Sequence, residues 1–182
     1  MHASIKARFV FKTSLILLAG ILAAASNAAD KIRIAATTTM VADLARSVAG
    51  DRAEVFGLMG PGVDPHLYKA TAPDINTLQS ADVIFYNGLH LEGRLADILV
   101  KLGRRGKSVY AVTESIPEEK LLEPAEFEGH YDPHVWFDPR LWAHCVETVV
   151  NALAETDPDN ADEYHQRGAA VEAEEAVVPG GD

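Results

Sequence analysis

Residues 64–66 and 132–134 are both Asp-Pro-His, in "GVDPHLY" and "DPHVWFDP". Neutral imidazole is a good ligand for divalent transition metals. A ligand has to be held before the ion arrives, because ordering it on binding subtracts from affinity. Pro65 and Pro133 fix their own backbone and push the preceding Asp to extended geometry, so each His is aimed with little freedom. A metal-bound His usually donates its other N–H to a carboxylate or carbonyl. Asp64 and Asp132 stand where they can accept that bond or bond the turn backbone. The neighbours Leu67-Tyr68 and Val135-Trp136 are expected to anchor each loop and keep the site partly dry. His66 and His134 are therefore the candidate metal ligands, and Asp64 and Asp132 the carboxylates that would hold them.

The other chemistry-bearing residues carry less. His90, in "NGLHLEG", falls at the end of a strand on the same edge. It suits a supporting place behind the ligands or a hydrogen bond at a helix start. His130, four positions before His134, reads as solvated, and His144 and His165 as polar groups on helix surfaces. Cys145 is the single cysteine, so no internal disulfide exists, and it belongs to an apolar stripe. Glu118, Glu119, Glu123, Glu126 and Glu128 form an acidic run that reads as a solvated connection with a loose attraction for cations.

The elements that must position these residues alternate. Strands are expected over 32–37, 53–59, 82–88 and 107–113. Between them lie helical patterns. Val41, Leu44, Ala45 and Val48 share a stripe behind a Thr38 or Thr39 cap and stop at Gly50. Pro73 suits the first turn of a short helix, and Leu91, Leu95, Ile98, Leu99 and Leu102 share a face. After the second Asp-Pro-His a long helix is predicted, capped by Asp138, with Trp142, Cys145, Val146, Val149, Val150 and Leu153 on one side. Pro158 breaks it, and a further polar helix starts near Asn160 before dissolving into an irregular tail. Alternating strands and helices predict an α/β fold: a single Rossmann-like lobe with a four-stranded, mostly parallel sheet flanked by helices. In such sheets ligands bind beyond the carboxyl ends of the strands, where loops distant in sequence can meet.

Residues 1–29 are set apart. Lys6, Arg8 and Lys12 precede the apolar run "TSLILLAGILAAA", and "SNA" offers small residues for cleavage after Ala28. That pattern reads as a secretory signal peptide, hence a periplasmic protein, with an N-terminal anchor as the alternative. No Cys stands near the cleavage site to take a lipid. Removing the signal removes three positive charges and no negative ones, which takes the formal charge from −11 to −14. A chain so acidic is a poor partner for nucleic acid, DNA or RNA, or for anionic membrane.

At "GLMGPGVDPHLYKAT", "ADVIFYNGLHLEG" and "DPHVWFDPRLW" the sequence resembles the metal-binding solute-binding proteins of ABC importers for zinc and manganese. That group includes the TroA-like receptors and the streptococcal adhesin-like lipoproteins. The likeness runs from about residue 31 to about residue 167. It implies two α/β lobes joined by a long helix, with the ion between them and His66 and His134 as the first lobe's ligands. It further implies that the chain is the first lobe, 30–158, plus the start of the interlobe helix and a tail, 159–182, with the second lobe and its His or Glu and carboxylate ligands absent. Zn²⁺ or Mn²⁺ would be cargo, a membrane permease the partner, and binding rather than turnover the activity. Two imidazoles alone would hold the ion several kcal/mol more weakly than a full set, on the scale of metal-site energies. Two alternatives remain. One is a secreted metal-dependent hydrolase, with His90 as third ligand and Asp132 or Glu128 as general base. The other is a nonfunctional exported fragment.

Overall fold

The largely apolar segments "IRIAA" and "VIFY" become the centre of a sheet. A computed structural model describes residues 31–177; the predicted signal peptide and residues 178–182 lie outside them. Strands β1 (Ile32–Ala36), β2 (Ala53–Gly57), β3 (Val83–Tyr86) and β4 (Ser108–Ala111) lie in the order β2-β1-β3-β4. Every pair is parallel, with Ile34 opposite both Val55 and Val83, and Phe85 opposite Tyr110. Successive side chains of a strand face opposite ways, and both faces are covered. Ile34, Ala36, Val83 and Phe85 pack with helices α1 (Thr39–Ala49), α4 (Pro139–Thr156) and α5 (Ala161–Val177). Ala35 and Ile84 pack on the other side with α2 (Ala72–Ser80) and α3 (Leu95–Arg104). The predicted α/β class and sheet are therefore as observed.

The helices start where their caps are. Thr38 Oγ1 accepts the Val41 N–H at 3.3 Å, opening α1. Asp74 Oδ2 accepts the Thr71 N–H at 2.6 Å and the Thr71 hydroxyl at 2.7 Å, opening α2. Asp138 Oδ1 accepts the Arg140 N–H at 2.9 Å, with Pro139 in the first turn of α4. All six residues of the predicted α4 stripe are buried. Each such side chain contributes about 1.5–3 kcal/mol on burial. Valine costs at most about 0.7 kcal/mol in helix propensity. The stripe, not propensity, therefore holds α4.

One element differs from the reading of the sequence. Leu91 is buried but lies in a turn; α3 begins only at Leu95. The polar helix expected near Asn160 is α5, which runs to Val177 and packs along α4 and α1. Its contact face is Tyr164, Gly168 and the half-buried Val171. A Cβ on Gly168 would overlap Val150 Cγ2, so the glycine is what lets the two helices approach. Polar groups do the rest. Arg167 donates from Nε to the Val48 carbonyl at 2.8 Å and from Nη2 to the Ala49 carbonyl at 3.0 Å, which satisfies the C-terminal end of α1.

Candidate metal centre

The strand order reverses direction between β1 and β3, and the crevice of an open α/β sheet opens at such a point. Three buried polar residues occupy it. Thr37 follows β1, Asn87 follows β3, and Glu92 lies in the turn before α3; all are at most 1 % exposed. The Glu92 carboxylate accepts the Thr37 hydroxyl at 2.8 Å, the Asn87 N–H at 2.6 Å and the Gly88 N–H at 3.2 Å. Burial pushes its carboxyl above the ordinary 4.5, and these three donors only partly offset that.

From this cluster both Asp-Pro-His segments are held. Asn87 Nδ2 donates to the Pro133 carbonyl at 3.0 Å, inside the second segment. The turn that carries Glu92 ends at Gly93, whose backbone abuts the first. A Cβ there would come within 2.6 Å of the His66 carbonyl oxygen, and its φ of +46° already favours glycine. The two segments meet. His66 Nε2 and His134 Nε2 are 3.4 Å apart, with the ring planes at 64°. If each nitrogen lay about 2.05 Å from one ion, that separation would subtend about 112° at it, close to the tetrahedral angle.

The two frames are alike in sequence and unlike in structure. Asp132 Oδ1 accepts both the His134 backbone N–H at 2.9 Å and its Nδ1–H at 2.7 Å. A neutral imidazole that donates from Nδ1 to a carboxylate presents its Nε2 lone pair on the opposite side. The ring also meets Trp136 edge-on at 5.3 Å and Phe127 at 6.2 Å between centroids. Asp64 Oδ1 accepts only the His66 backbone N–H, at 2.9 Å. His66 is exposed, and Leu67, expected to anchor its loop, is 76 % exposed. Tyr68, rather than Leu67, packs inward against the core. The Tyr68 hydroxyl donates to Asp74 Oδ2 at 2.7 Å, and burial with this bond pushes the phenol up to about 12.

His90 takes a different place. Its ring lies against that of His130, with centroids 4.7 Å apart, and no hydrogen bond among the described residues ties its ring to His66 or His134. His144 accepts from Lys120 Nζ at 2.9 Å, and Cys145 is buried. Among the described residues no group of three His, Cys, Asp or Glu side chains gathers around a common point. Thr37, Asn87, Glu92 and Gly93 were not singled out from the sequence. The one local cue in "NGLHLEG" is a carboxylate set between two glycines and beside a leucine.

Comparison with known proteins gives the family. The family model described as "Zinc-uptake complex component A periplasmic", ZnuA, matches residues 34–178. The chain belongs to the ZnuA family. The manganese-binding lipoprotein MntA of Bacillus subtilis is 40 % identical over 166 residues, which cover 91 % of this chain and 54 % of MntA. The zinc-binding protein TroA of Treponema pallidum is 44 % identical over 146 residues, 80 % of this chain and 46 % of TroA. The solved structure of that periplasmic zinc-binding protein superposes with a TM-score of 0.75, over 80 % of this chain and 52 % of its own. The zinc-bound ZnuA-like domain of Streptococcus pneumoniae AdcA, 28 % identical, gives 0.70. This ZnuA-family chain thus spans about half the length of the curated relatives it matches. Its family is that of the metal-binding, substrate-binding components of ABC importers.

Proposed function

We propose that this chain captures a divalent transition cation outside the cytoplasm, in the periplasm, as cargo for an ABC importer. His66 and His134 bind the ion through their Nε2 atoms. Asp132 holds the His134 ring from behind, and Asp64 holds only the turn that presents His66. The loaded protein then passes the ion to a membrane permease. Binding, not turnover, is the activity, in keeping with relatives named for binding manganese or zinc.

The single observation that carries this reading is the 3.4 Å between the two Nε2 atoms, contributed by loops far apart in the chain. The imidazoles suit zinc and manganese alike. The general affinity order of divalent metals puts zinc above manganese for such donors, so zinc binds the more tightly here. Two imidazoles leave the remaining positions of the ion to water or to groups beyond the described residues, and affinity for this chain alone is correspondingly modest.

Calorimetric titration of Zn²⁺ into the chain tests the reading. The His66→Ala/His134→Ala variant loses that binding isotherm. An unchanged isotherm in the variant would sink the proposal.

A further inference from the structure

A second pair of imidazoles stands outside the site just described. We propose that His90 and His130 form a separate binding site for a divalent transition cation of the zinc and copper class. The pair is assembled from two segments: the turn after β3, and the acidic connection that precedes the second Asp-Pro-His.

Three observations bring this forward. The first is spacing. A ring centroid in an ordinary imidazole complex lies about 3.2 Å from the ion, so centroids 4.7 Å apart would subtend about 95°. The same ruler applied to His66 and His134, with centroids 5.5 Å apart, returns about 118°, close to the angle their nitrogens give. The spacing of the second pair thus leaves room for one shared ion once a nitrogen of each ring faces it, and both rings are exposed and make no side-chain hydrogen bond among the described residues.

The second is backbone conformation. Among the described residues, the non-glycine positions with positive φ are Leu89 at 50°, His90 at 66° and Glu128 at 51°. All three belong to the segments that bring this pair together. Side chains are disfavoured there, and positions that persist in such conformations concentrate at functional sites. His90 is kept in place from its own turn. Leu91 is buried, and the Glu92 carboxylate is bonded to Thr37, Asn87 and Gly88. His130 is kept by its N–H, donated to the Phe127 carbonyl at 3.0 Å, and by Asp132, whose N–H bonds the Leu122 carbonyl at 2.8 Å. Both rings are thus presented before any ion arrives, and binding need not pay to order the backbone.

The third is charge. Between 114 and 131 the chain carries Glu114, Glu118, Glu119, Glu123, Glu126 and Glu128 against Lys120 alone. Exposed carboxylates in the segment that carries His130 raise the local concentration of cations. Imidazole selects the transition metals over calcium and magnesium, which take oxygen ligands. With two protein donors and open positions, this site binds more weakly than one with a full set.

Calorimetry and NMR decide it, with Zn²⁺ as the probe. The comparison is between the parent chain, His90→Asn/His130→Gln and His66→Ala/His134→Ala. Asn tolerates the left-handed backbone at position 90, so the first variant keeps its fold. The parent takes up two equivalents, and each double variant takes up one. In His66→Ala/His134→Ala, added zinc shifts the ¹⁵N resonances of the His90 and His130 ring nitrogens. The proposal is overturned if His90→Asn/His130→Gln takes up zinc with the stoichiometry and heats of the parent, or if those nitrogens do not move. The site stands independently of the proposed function. Parent-like uptake by His66→Ala/His134→Ala would defeat that reading and leave this one to the other variant.

Discussion

Identical motifs should respond differently to the same mutation. Asp132 Oδ1 supports both the backbone and the ring of His134, at 2.9 and 2.7 Å. Removing a carboxylate that orients a metal-bound His costs about 10- to 100-fold in affinity, or about 1.4–2.8 kcal/mol at 1.4 kcal/mol per tenfold. The side chains of His134 and Asp132 remain 32 % and 30 % exposed, so water partly replaces the lost partner. Asp132→Ala should therefore fall at the low end, near 10-fold weaker. Asp64 Oδ1 bonds only a backbone N–H on an exposed loop. Asp64→Ala should stay within about 0.5 kcal/mol, a factor of about 2 to 3, as exposed substitutions do. Asp132→Asn should lie between, because its amide oxygen can accept the same bonds without the charge. Competition with a chromophoric zinc chelator, at fixed pH and ionic strength, measures all three. Circular dichroism checks that each variant is folded. An Asp64→Ala loss equal to or larger than that of Asp132→Ala would refute the reasoning.

Gly93→Ala places a methyl against the His66 carbonyl; zinc affinity should fall several-fold while the unfolding temperature changes by only a few degrees, since the His66 loop is exposed and can move. A variant that binds zinc as the parent does would show that the turn does not set the histidine spacing. Glu92 has a carboxyl raised above 4.5 by burial, so its contribution to stability is fully present below that ordinary value and is lost as pH rises through the folded value. The unfolding free energy of the parent, taken relative to Glu92→Gln, should thus decline as pH rises from 4.5, and a rise or a flat difference in urea titrations would contradict the assignment. Gly168→Ala overpacks the contact of α5 with Val150 and should cost about 1–3 kcal/mol in thermal unfolding, whereas the parent's stability retained in full would mean that α5 does not need this close approach.

Apolar periodicity made most of the lobe readable. The strands around Ile34 and Ile84, and the α4 stripe from Trp142 to Leu153, announce themselves because buried apolar side chains recur at the period of their element. The Asp-Pro-His frames were readable for another reason: proline restricts the backbone locally, so aim can be argued without knowing the fold. What failed to show was anything set by tertiary contact. Helix α5 is expected from the sequence as a polar helix, but its docking is not legible, because its hold on the lobe is a tyrosine, a glycine and an arginine whose head satisfies the end of α1. Long polar side chains cover surface that a hydrophobicity pattern does not count. Glu92 falls in the segment expected to open a helix, and only the convergence of Thr37, Asn87 and Gly88 on it shows that its carboxylate is buried. The unequal roles of Asp64 and Asp132 follow from what surrounds each frame, Trp136 and Phe127 for one and solvent for the other, and no local pattern distinguishes them.

The central claim is that one cation joins the two histidines. Diffraction from crystals of the chain grown with zinc, recorded on both sides of the zinc absorption edge, tests it most directly. The account predicts an anomalous peak about 2.0–2.1 Å from Nε2 of both His66 and His134, with Asp132 still bonded to Nδ1 of His134. A peak bound to one ring alone, or no peak between these rings while zinc occupies other positions, would contradict it.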